Sequence, residues 1–190
     1  MSDQLHLLPG QAPPVANPDS NEWYTPRPII EAARRVMGGI DLDPFSCAQA
    51  NEVVQATTYY TKKQNGLSDD LFWHGRIWLN PPYSRDIIGN VIERLRWTME
   101  VTDMLECACL LTNASVGSSW YHDALKRSHL TCLLSKRLKF WGPNSAGNSA
   151  AMGQSVMLFL GEECEDPGRI ETGFSQHFGE LGWVAKWTLA

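Results

Sequence analysis

Residues 76–83 read RIWLNPPY, an apolar strand pattern that runs directly into an asparagine, two prolines and a tyrosine. Pro81 and Pro82 lack a backbone N–H and have a fixed φ, so the carbonyls of Asn80 and Pro81 are not tied into a helix or ladder by the next residues. The segment predicts a rigid loop at a strand end whose oxygens can face a ligand. An ordinary proline-rich turn, with Tyr83 as a packing aromatic, is the other interpretation.

The loop has the groups needed to activate an aromatic amine. Such an amine is a poor nucleophile because its lone pair is delocalised into the ring. If the Asn80 side-chain oxygen and the Pro81 carbonyl each accept one N–H, the nitrogen is held with its lone pair aimed at an electrophilic methyl group. Tyr83 offers a face on which an extruded base can stack. We therefore assign the catalytic role to Asn80, Pro81, Pro82 and Tyr83.

The flanking sequence predicts an α/β domain. Apolar residues at helical spacing predict helices over Pro28–Met37, Ala48–Ala56, Ile87–Val101 and Val116–Lys126. Apolar and β-branched runs predict strands over Ile40–Phe45, Thr57–Thr61, Arg76–Leu79, Cys107–Thr112, Leu130–Leu134 and Leu138–Trp141, with Ser155–Leu160 as the final strand. Their alternation predicts a compact, mostly parallel sheet flanked by helices. We expect residues 1–20 to be a disordered or loosely docked arm and residues 21–190 to be one catalytic domain.

Residues 40–45, IDLDPF, place two carboxylates at the end of a predicted strand. Asp41 and Asp43 are two residues apart, so we expect them on the same face, where one can bind a ribose or an ammonium group. Ligands bind outside the carboxyl ends of strands in such sheets, which is where DPF and NPPY both fall. A strand cap, with Asp43 starting the next turn, is the alternative.

Two further segments are candidates for binding a cofactor. Residues 23–26, WYTP, join an aromatic pair to a predicted helix N-terminus, which suits a carboxylate group, although core packing also explains the aromatics. Asn65 in the sequence QNGL either contacts an adenine or makes the turn, and we favour the turn.

The formal net charge of -5 is unusual for a protein that binds DNA, but its distribution is uneven. Residues 124–161 carry five basic side chains and no acidic one, whereas residues 162–190 carry six acidic side chains and two basic ones. A basic face can therefore coexist with an acidic total. The candidate DNA contacts are Arg85, Lys136, Arg137 and Lys139, together with the loop GPNSAGNSAAMG at residues 142–153 and the N-terminal arm.

Cysteine and hydropathy patterns exclude several other classes of protein. The five cysteines are odd in number and four lie in or beside apolar stretches, which predicts reduced, buried thiols. The Cys-x-Cys spacing and scattered histidines predict no metal site. No apolar run is long enough to span a membrane and the first residues lack a secretory pattern, so we expect a cytoplasmic protein.

Several segments together resemble the phage-type DNA N6-adenine methyltransferases, the Dam-like group. They are EWYTP, IDLDPF, AxxYYTxxxNGL, GRIWLNPPYS, LLTN followed by WYH, and RLKFWGP followed by an apolar strand, in one order between residues 21 and 161. The resemblance implies a Rossmann-like class I fold that binds S-adenosylmethionine, with Asn80–Tyr83 as catalytic motif. It also implies a cofactor pocket that includes Thr25, Pro26, Asp41, Asp43 and Pro44. Ser46–Ala48 departs from the glycine-rich turn found in related sequences.

Two alternatives remain open at this stage. The loop can serve another amine or amide, such as cytosine N4, an RNA guanine or a protein glutamine. The chain can also be a catalytically decayed relative retained for DNA binding, since the glycine-rich turn is missing. The sequence does not determine an oligomeric state.

Overall fold

A computed structural model describes residues 23–142 and 152–187, with the backbone alone at Arg85 and Asp86. The predicted arm at residues 1–20 and most of the predicted loop at residues 142–153 lie outside the described residues. The helices are α1 (Arg27–Met37), α2 (Ala48–Val54), α3 (Arg85–Glu100), α4 (Ser119–Arg127) and α5 (Pro167–Gly179). The strands are β1 (Leu42–Asp43), β2 (Thr58–Tyr59), β3 (Gly75–Leu79), β4 (Leu105–Asn113), β5 (Leu130–Leu134), β6 (Gln154–Leu160) and β7 (Gly182–Ala185).

The described strands form one seven-stranded sheet in the order β2-β1-β3-β4-β6-β5-β7. The pairs β2–β1, β1–β3 and β3–β4 are parallel, whereas β4–β6, β6–β5 and β5–β7 are antiparallel. Because β5 is antiparallel to β6, which is itself antiparallel to β4, β5 runs in the same direction as β1 to β4. The carboxyl ends of these five strands therefore lie at one edge of the sheet.

Half of the neighbouring strand pairs are antiparallel, which corrects the prediction of a mostly parallel sheet. Two of these pairs arise from β6, which inserts between β4 and β5 with reversed direction, and the third arises from β7, which is antiparallel to β5. All seven residues of β6 are buried, and so are seven of the nine residues of β4. Both strands are therefore covered on both faces, and a mainly apolar run carries no information about strand direction.

Helices cover both faces of the sheet and enclose two apolar clusters. Helices α1 and α5 pack on one face, with side chains such as Val36, Phe174 and Cys109. Helices α3 and α4 pack on the other face, with side chains such as Val91, Tyr121 and Leu110. Cys109 and Leu110 are neighbours on β4 and point to opposite clusters, as the alternation of side chains along a strand requires. The core thus fixes both the register of β4 and the position of its neighbour β3.

The predicted elements up to β6 are present with shifted ends, except that Leu138–Trp141 forms only an isolated bridge between Trp141 and Tyr24. The predicted final strand is not the last element, because α5 and β7 follow it. Asp166 caps α5 by accepting from the Arg169 N–H at 2.9 Å, and Ile170, Phe174 and Phe178 form its buried face at helical spacing. This cap and spacing are visible in the sequence and are sufficient to predict α5.

The cysteines are all free thiols, and Cys107, Cys109 and Cys132 are buried. No group of three or more His, Cys, Asp or Glu side chains in residues 23–142 and 152–187 could hold a metal ion. The described helices include none with the length and hydropathy needed to cross a membrane.

Candidate active site at the carboxyl ends of β1 and β3

The order of the strands creates a crevice between β1 and β3. The chain passes from β1 through α2 to β2 on one side, and then crosses to β3 on the other side of β1. Such a reversal leaves room for a ligand between the carboxyl ends of the two central strands. Asp43, Pro44 and Phe45 lie at the end of β1, and residues 80–83 follow β3 directly.

The Asn80 side chain is held by two hydrogen bonds. Its Nδ2 donates to the Trp23 carbonyl at 2.9 Å, and its Oδ1 accepts from the Tyr83 hydroxyl at 2.8 Å. Asn80 is half-buried, so its amide is not turned into the core. Burial raises the pKa of the Tyr83 hydroxyl, which keeps that hydroxyl protonated as a donor. Because an amide oxygen has two lone pairs, Oδ1 can still accept a second N–H.

Residues 23–25 are packed against residues 140–141. The Tyr24 and Trp141 backbones exchange two N–H···O bonds of 2.8 and 3.1 Å, and the Trp141 indole donates to the Thr25 carbonyl at 3.0 Å. The rings of Trp23 and Phe140 meet edge to face with centroids 6.0 Å apart. The fold thus brings the WYTP, NPPY and KFWGP segments together at one edge of the sheet.

Thr25 and the N-terminus of α1 leave polar groups without partners. Thr25 is 4% exposed, and its Oγ1 has no hydrogen-bond partner among the described residues. Helix α1 begins after Pro26, no side chain of the described chain caps it, and its first turn has no acidic residue. Pro28 has no N–H, and the Ile29 and Ile30 N–H groups bond to the Pro26 carbonyl, so the Thr25 hydroxyl and the Arg27 N–H are the donors available to an anion.

Asp43 is buried at the end of β1 with no described cation as a partner. It is 2% exposed, and its Oδ1 accepts from the Phe45 N–H at 3.1 Å. Burial raises the pKa of Asp43 to about 7, against the effect of the Phe45 N–H. The carboxylate is therefore ready to receive a ligand that donates hydrogen bonds or carries positive charge.

Asp41 lies at the opposite end of β1 and is already paired. Its two oxygens accept from the Arg76 side chain at 2.7 and 2.8 Å, and one also accepts from the Arg76 N–H at 2.9 Å. These bonds lower the pKa of Asp41. The structure places the Asp41 carboxylate among groups at the amino ends of β1 and β3 and does not bring it to the crevice.

Asn65 makes a turn that supports the end of β1. It has a φ of +57°, and its Oδ1 accepts from the Leu67 N–H at 3.3 Å, so its side chain serves the turn. Gly66 follows it, and a Cβ added there would lie 2.0 Å from the Pro44 carbonyl oxygen. Only glycine allows this close approach. The sequence predicts a turn at Asn65 and Gly66, as an Asn-Gly pair does, but it does not predict the contact of Gly66 with the Pro44 carbonyl.

The predicted basic residues lie beside the crevice. Lys136, Arg137 and Lys139 are exposed and follow the carboxyl end of β5, which is at the same edge as the NPPY loop. The segment that carries them is anchored by buried Gln154, whose Oε1 accepts from the Leu138 N–H at 3.1 Å. Of Arg85 only the backbone is described, at the first position of α3, so its side chain lies outside the described structure.

Two cavities lie elsewhere, along α3. One, of about 270 Å³, is lined by residues of α3 and α4 such as Arg96 and Trp120. The other, of about 490 Å³, is lined by residues such as Phe72 and Trp97. Neither is lined by residues 23–26 or 80–83, so both are separate from the candidate active site.

Comparison with known proteins gives the family of this chain. A family model described as DNA N-6-adenine-methyltransferase (Dam) matches residues 14–178, which include every predicted site residue. A protein of Escherichia phage T1 named DNA N-6-adenine-methyltransferase is 30% identical over 105 residues. That alignment covers 54% of this chain and 40% of the phage protein, so the chain matches less than half of its relative's length. By the extent of the family match, the chain belongs to the Dam family of DNA N-6-adenine-methyltransferases.

Proposed function

We propose that this protein transfers a methyl group from S-adenosylmethionine to the N6 amino group of adenine in DNA. The observation that carries the proposal is the Asn80 amide, which follows β3 and presents an oriented oxygen beside Tyr83. The matched family and the phage T1 relative are both named for this reaction. We also propose that the reaction takes place in the cytoplasm of a bacterial or phage-infected cell.

The reaction needs alignment more than it needs a base. Asn80 Oδ1 and the Pro81 carbonyl each accept a hydrogen bond from one amine hydrogen, which directs the nitrogen lone pair toward the electrophilic methyl group. Tyr83 stacks on the flipped base, and Pro82 keeps the loop rigid. The nitrogen forms its bond to the methyl carbon as the carbon–sulfur bond breaks, and the amine then loses one proton to solvent.

The polar groups around the crevice fit a zwitterionic nucleoside cofactor. Thr25 Oγ1 and the Arg27 N–H at the start of α1 suit its carboxylate. Asp43, rather than Asp41, suits its ammonium or ribose hydroxyls because Asp43 has no described cation as a partner. Pro44 and the Asn65 turn shape the wall beside them. S-adenosylmethionine supplies the activated methyl group when it is bound.

We further propose that the fold is Rossmann-like and of class I. The parallel strands β2-β1-β3-β4 with a crevice at the β1/β3 reversal, and helices on both faces, support this assignment. We propose residues 21–190 as a single catalytic domain.

We propose that DNA lies across the carboxyl edge of the sheet. Lys136, Arg137 and Lys139 supply phosphate contacts close to the crevice, with Arg85 as a further candidate. A short basic loop beside the active site allows binding to a polyanion despite the net charge of -5.

The test is incubation with methyl-labelled S-adenosylmethionine and DNA, RNA or cellular protein, followed by digestion and identification of the labelled product. We expect N6-methyladenine from DNA alone. Asn80→Ala should mainly remove turnover, while Tyr83→Ala should weaken engagement of the base. Label in N4-methylcytosine, RNA or protein, or full activity in both variants, would contradict the proposal.

A further inference from the structure

Trp141 holds the segment that contacts Asn80. It pairs with the Tyr24 backbone in both directions, at 2.8 and 3.1 Å, and its indole Nε1 donates to the Thr25 carbonyl at 3.0 Å. Its ring also meets that of Tyr24 edge to face, with centroids 4.9 Å apart. The backbone of residues 23–25 is therefore fixed by three hydrogen bonds and one ring contact from a single residue.

The Trp23 carbonyl decides which way the Asn80 amide faces. A carbonyl only accepts hydrogen bonds, so it selects the Asn80 Nδ2 group, which donates to it at 2.9 Å. Turning the amide over would place two oxygens against each other. The Tyr83 hydroxyl does not make this choice, because it can rotate to donate or accept. The orientation of the catalytic amide therefore depends on where the Trp23 carbonyl lies.

We propose that Trp141 is a positioning residue for the Asn80 amide. It fixes the backbone of residues 23–25, and that backbone keeps Asn80 Oδ1 turned toward the substrate amine. We assign Trp141 no direct contact with the base or the methyl group. The inference rests on the proposed function for its catalytic consequence, whereas the orientation of the amide can be tested without any reaction.

The first test is Trp141→Phe, which keeps the backbone pairing and an aromatic ring but removes the indole N–H. At saturating DNA and cofactor we expect kcat to fall by about 10- to 100-fold, because small misplacements of an aligning group have effects of that size. The KM for DNA should stay within about threefold, and the fluorescence of 2-aminopurine at the target base should be unchanged, since flipping and stacking depend on Tyr83. An unchanged kcat, or a loss confined to KM, would overturn the proposal.

Tyr121→Phe is the matched control. It also removes one side-chain donor, since the Tyr121 hydroxyl donates to Ser155 Oγ at 3.0 Å, but this donor lies in the core between the sheet and α4. We expect a comparable loss of thermal stability with kcat retained. If both variants lose kcat in proportion to stability, Trp141 has only a structural role.

A second measurement does not depend on activity. The Nδ2 hydrogens of Asn80, observed by NMR with ¹⁵N-labelled asparagine, should exchange slowly while they bond to the Trp23 carbonyl and faster in Trp141→Phe. Equal exchange in the two proteins would overturn the positioning role. Faster exchange in a protein that methylates no DNA would support the positioning role while refuting the proposed function.

Discussion

Replacing Asp43 by Asn should stabilise the protein at alkaline pH and weaken cofactor binding. The carboxyl group is 2% exposed, has no described cation beside it, and has a pKa raised from 3.8 to about 7. Because the folded state holds this proton more tightly than the unfolded state does, the free energy of unfolding falls as pH rises from about 4 to about 7. Asn keeps an oxygen to accept the Phe45 N–H and has no charge to bury.

The size of the effect follows from the shift in pKa. Each unit is worth about 1.4 kcal/mol, so the two units between pH 5 and pH 7 correspond to about 3 kcal/mol. We expect the variant to gain about that much in free energy of unfolding, relative to the parent protein, between pH 5 and pH 8. Urea unfolding at the two pH values measures it, and calorimetric titration with S-adenosylmethionine measures the accompanying loss of affinity.

Asp41→Asn is the control, because its pKa is shifted the other way. The ion pair with Arg76 lowers the pKa of Asp41, so its contribution to stability is present above the unfolded pKa and is lost as pH falls. This variant should be less stable than the parent at pH 8. If Asp43→Asn shows no gain between pH 5 and pH 8, or binds cofactor with parental affinity, the reasoning about Asp43 is refuted.

Three further predictions test the contact between Gly66 and the Pro44 carbonyl, the basic residues 136–139, and the N-cap of helix α5. Gly66→Ala forces a methyl group against the Pro44 carbonyl, so affinity for S-adenosylmethionine in calorimetry should fall sharply, and an unchanged affinity would contradict the close approach. Exchanging the three cations of residues 136–139 for Gln should reduce the salt dependence of DNA binding by about 0.9 in logarithmic slope for each phosphate that these side chains neutralise, and an unchanged slope would exclude them from the interface. Asp166→Ala removes the cap on the Arg169 N–H and should cost about 1 kcal/mol in urea unfolding, with turnover retained, whereas equal stability would contradict the capping.

The elements around the site could be predicted because local signals specify them. Helix α1 lies between its N-cap residue Pro26 and its C-cap residue Gly38, whose φ of +78° is the left-handed conformation that glycine favours. The NPPY loop follows β3 as predicted, because two prolines cannot continue a β-ladder. These signals lie within one segment, so they specify its structure without contacts to distant parts of the chain.

Contacts between distant segments could not be predicted in the same way. The bond from Asn80 to the Trp23 carbonyl joins residues 57 positions apart, and the Trp141 indole bonds a carbonyl 116 positions away. Neither contact has a periodicity or a spacing that marks it in a sequence. The insertion of β6 between β4 and β5 is likewise decided by packing on both faces, which the apolar run alone does not encode.

The two aspartates of IDLDPF show that the end of the strand at which a carboxylate lies determines whether it stabilises the fold or is available to a ligand. Asp41 and Asp43 are only two residues apart, yet in the sheet one is paired with a cation and the other is buried without a described cation. At the amino end of β1, Arg76 neutralises Asp41 and ties β1 to β3. At the carboxyl end, where the crevice opens, Asp43 is buried without a described cation and is less stable as an anion for that reason. A sequence selected for stability alone would pair this carboxylate with a cation or replace it with an uncharged residue. Its presence at the same edge of the sheet as the unpartnered Thr25 hydroxyl, which precedes an N-terminus of α1 without a side-chain cap, is what we expect of a site completed by a charged ligand.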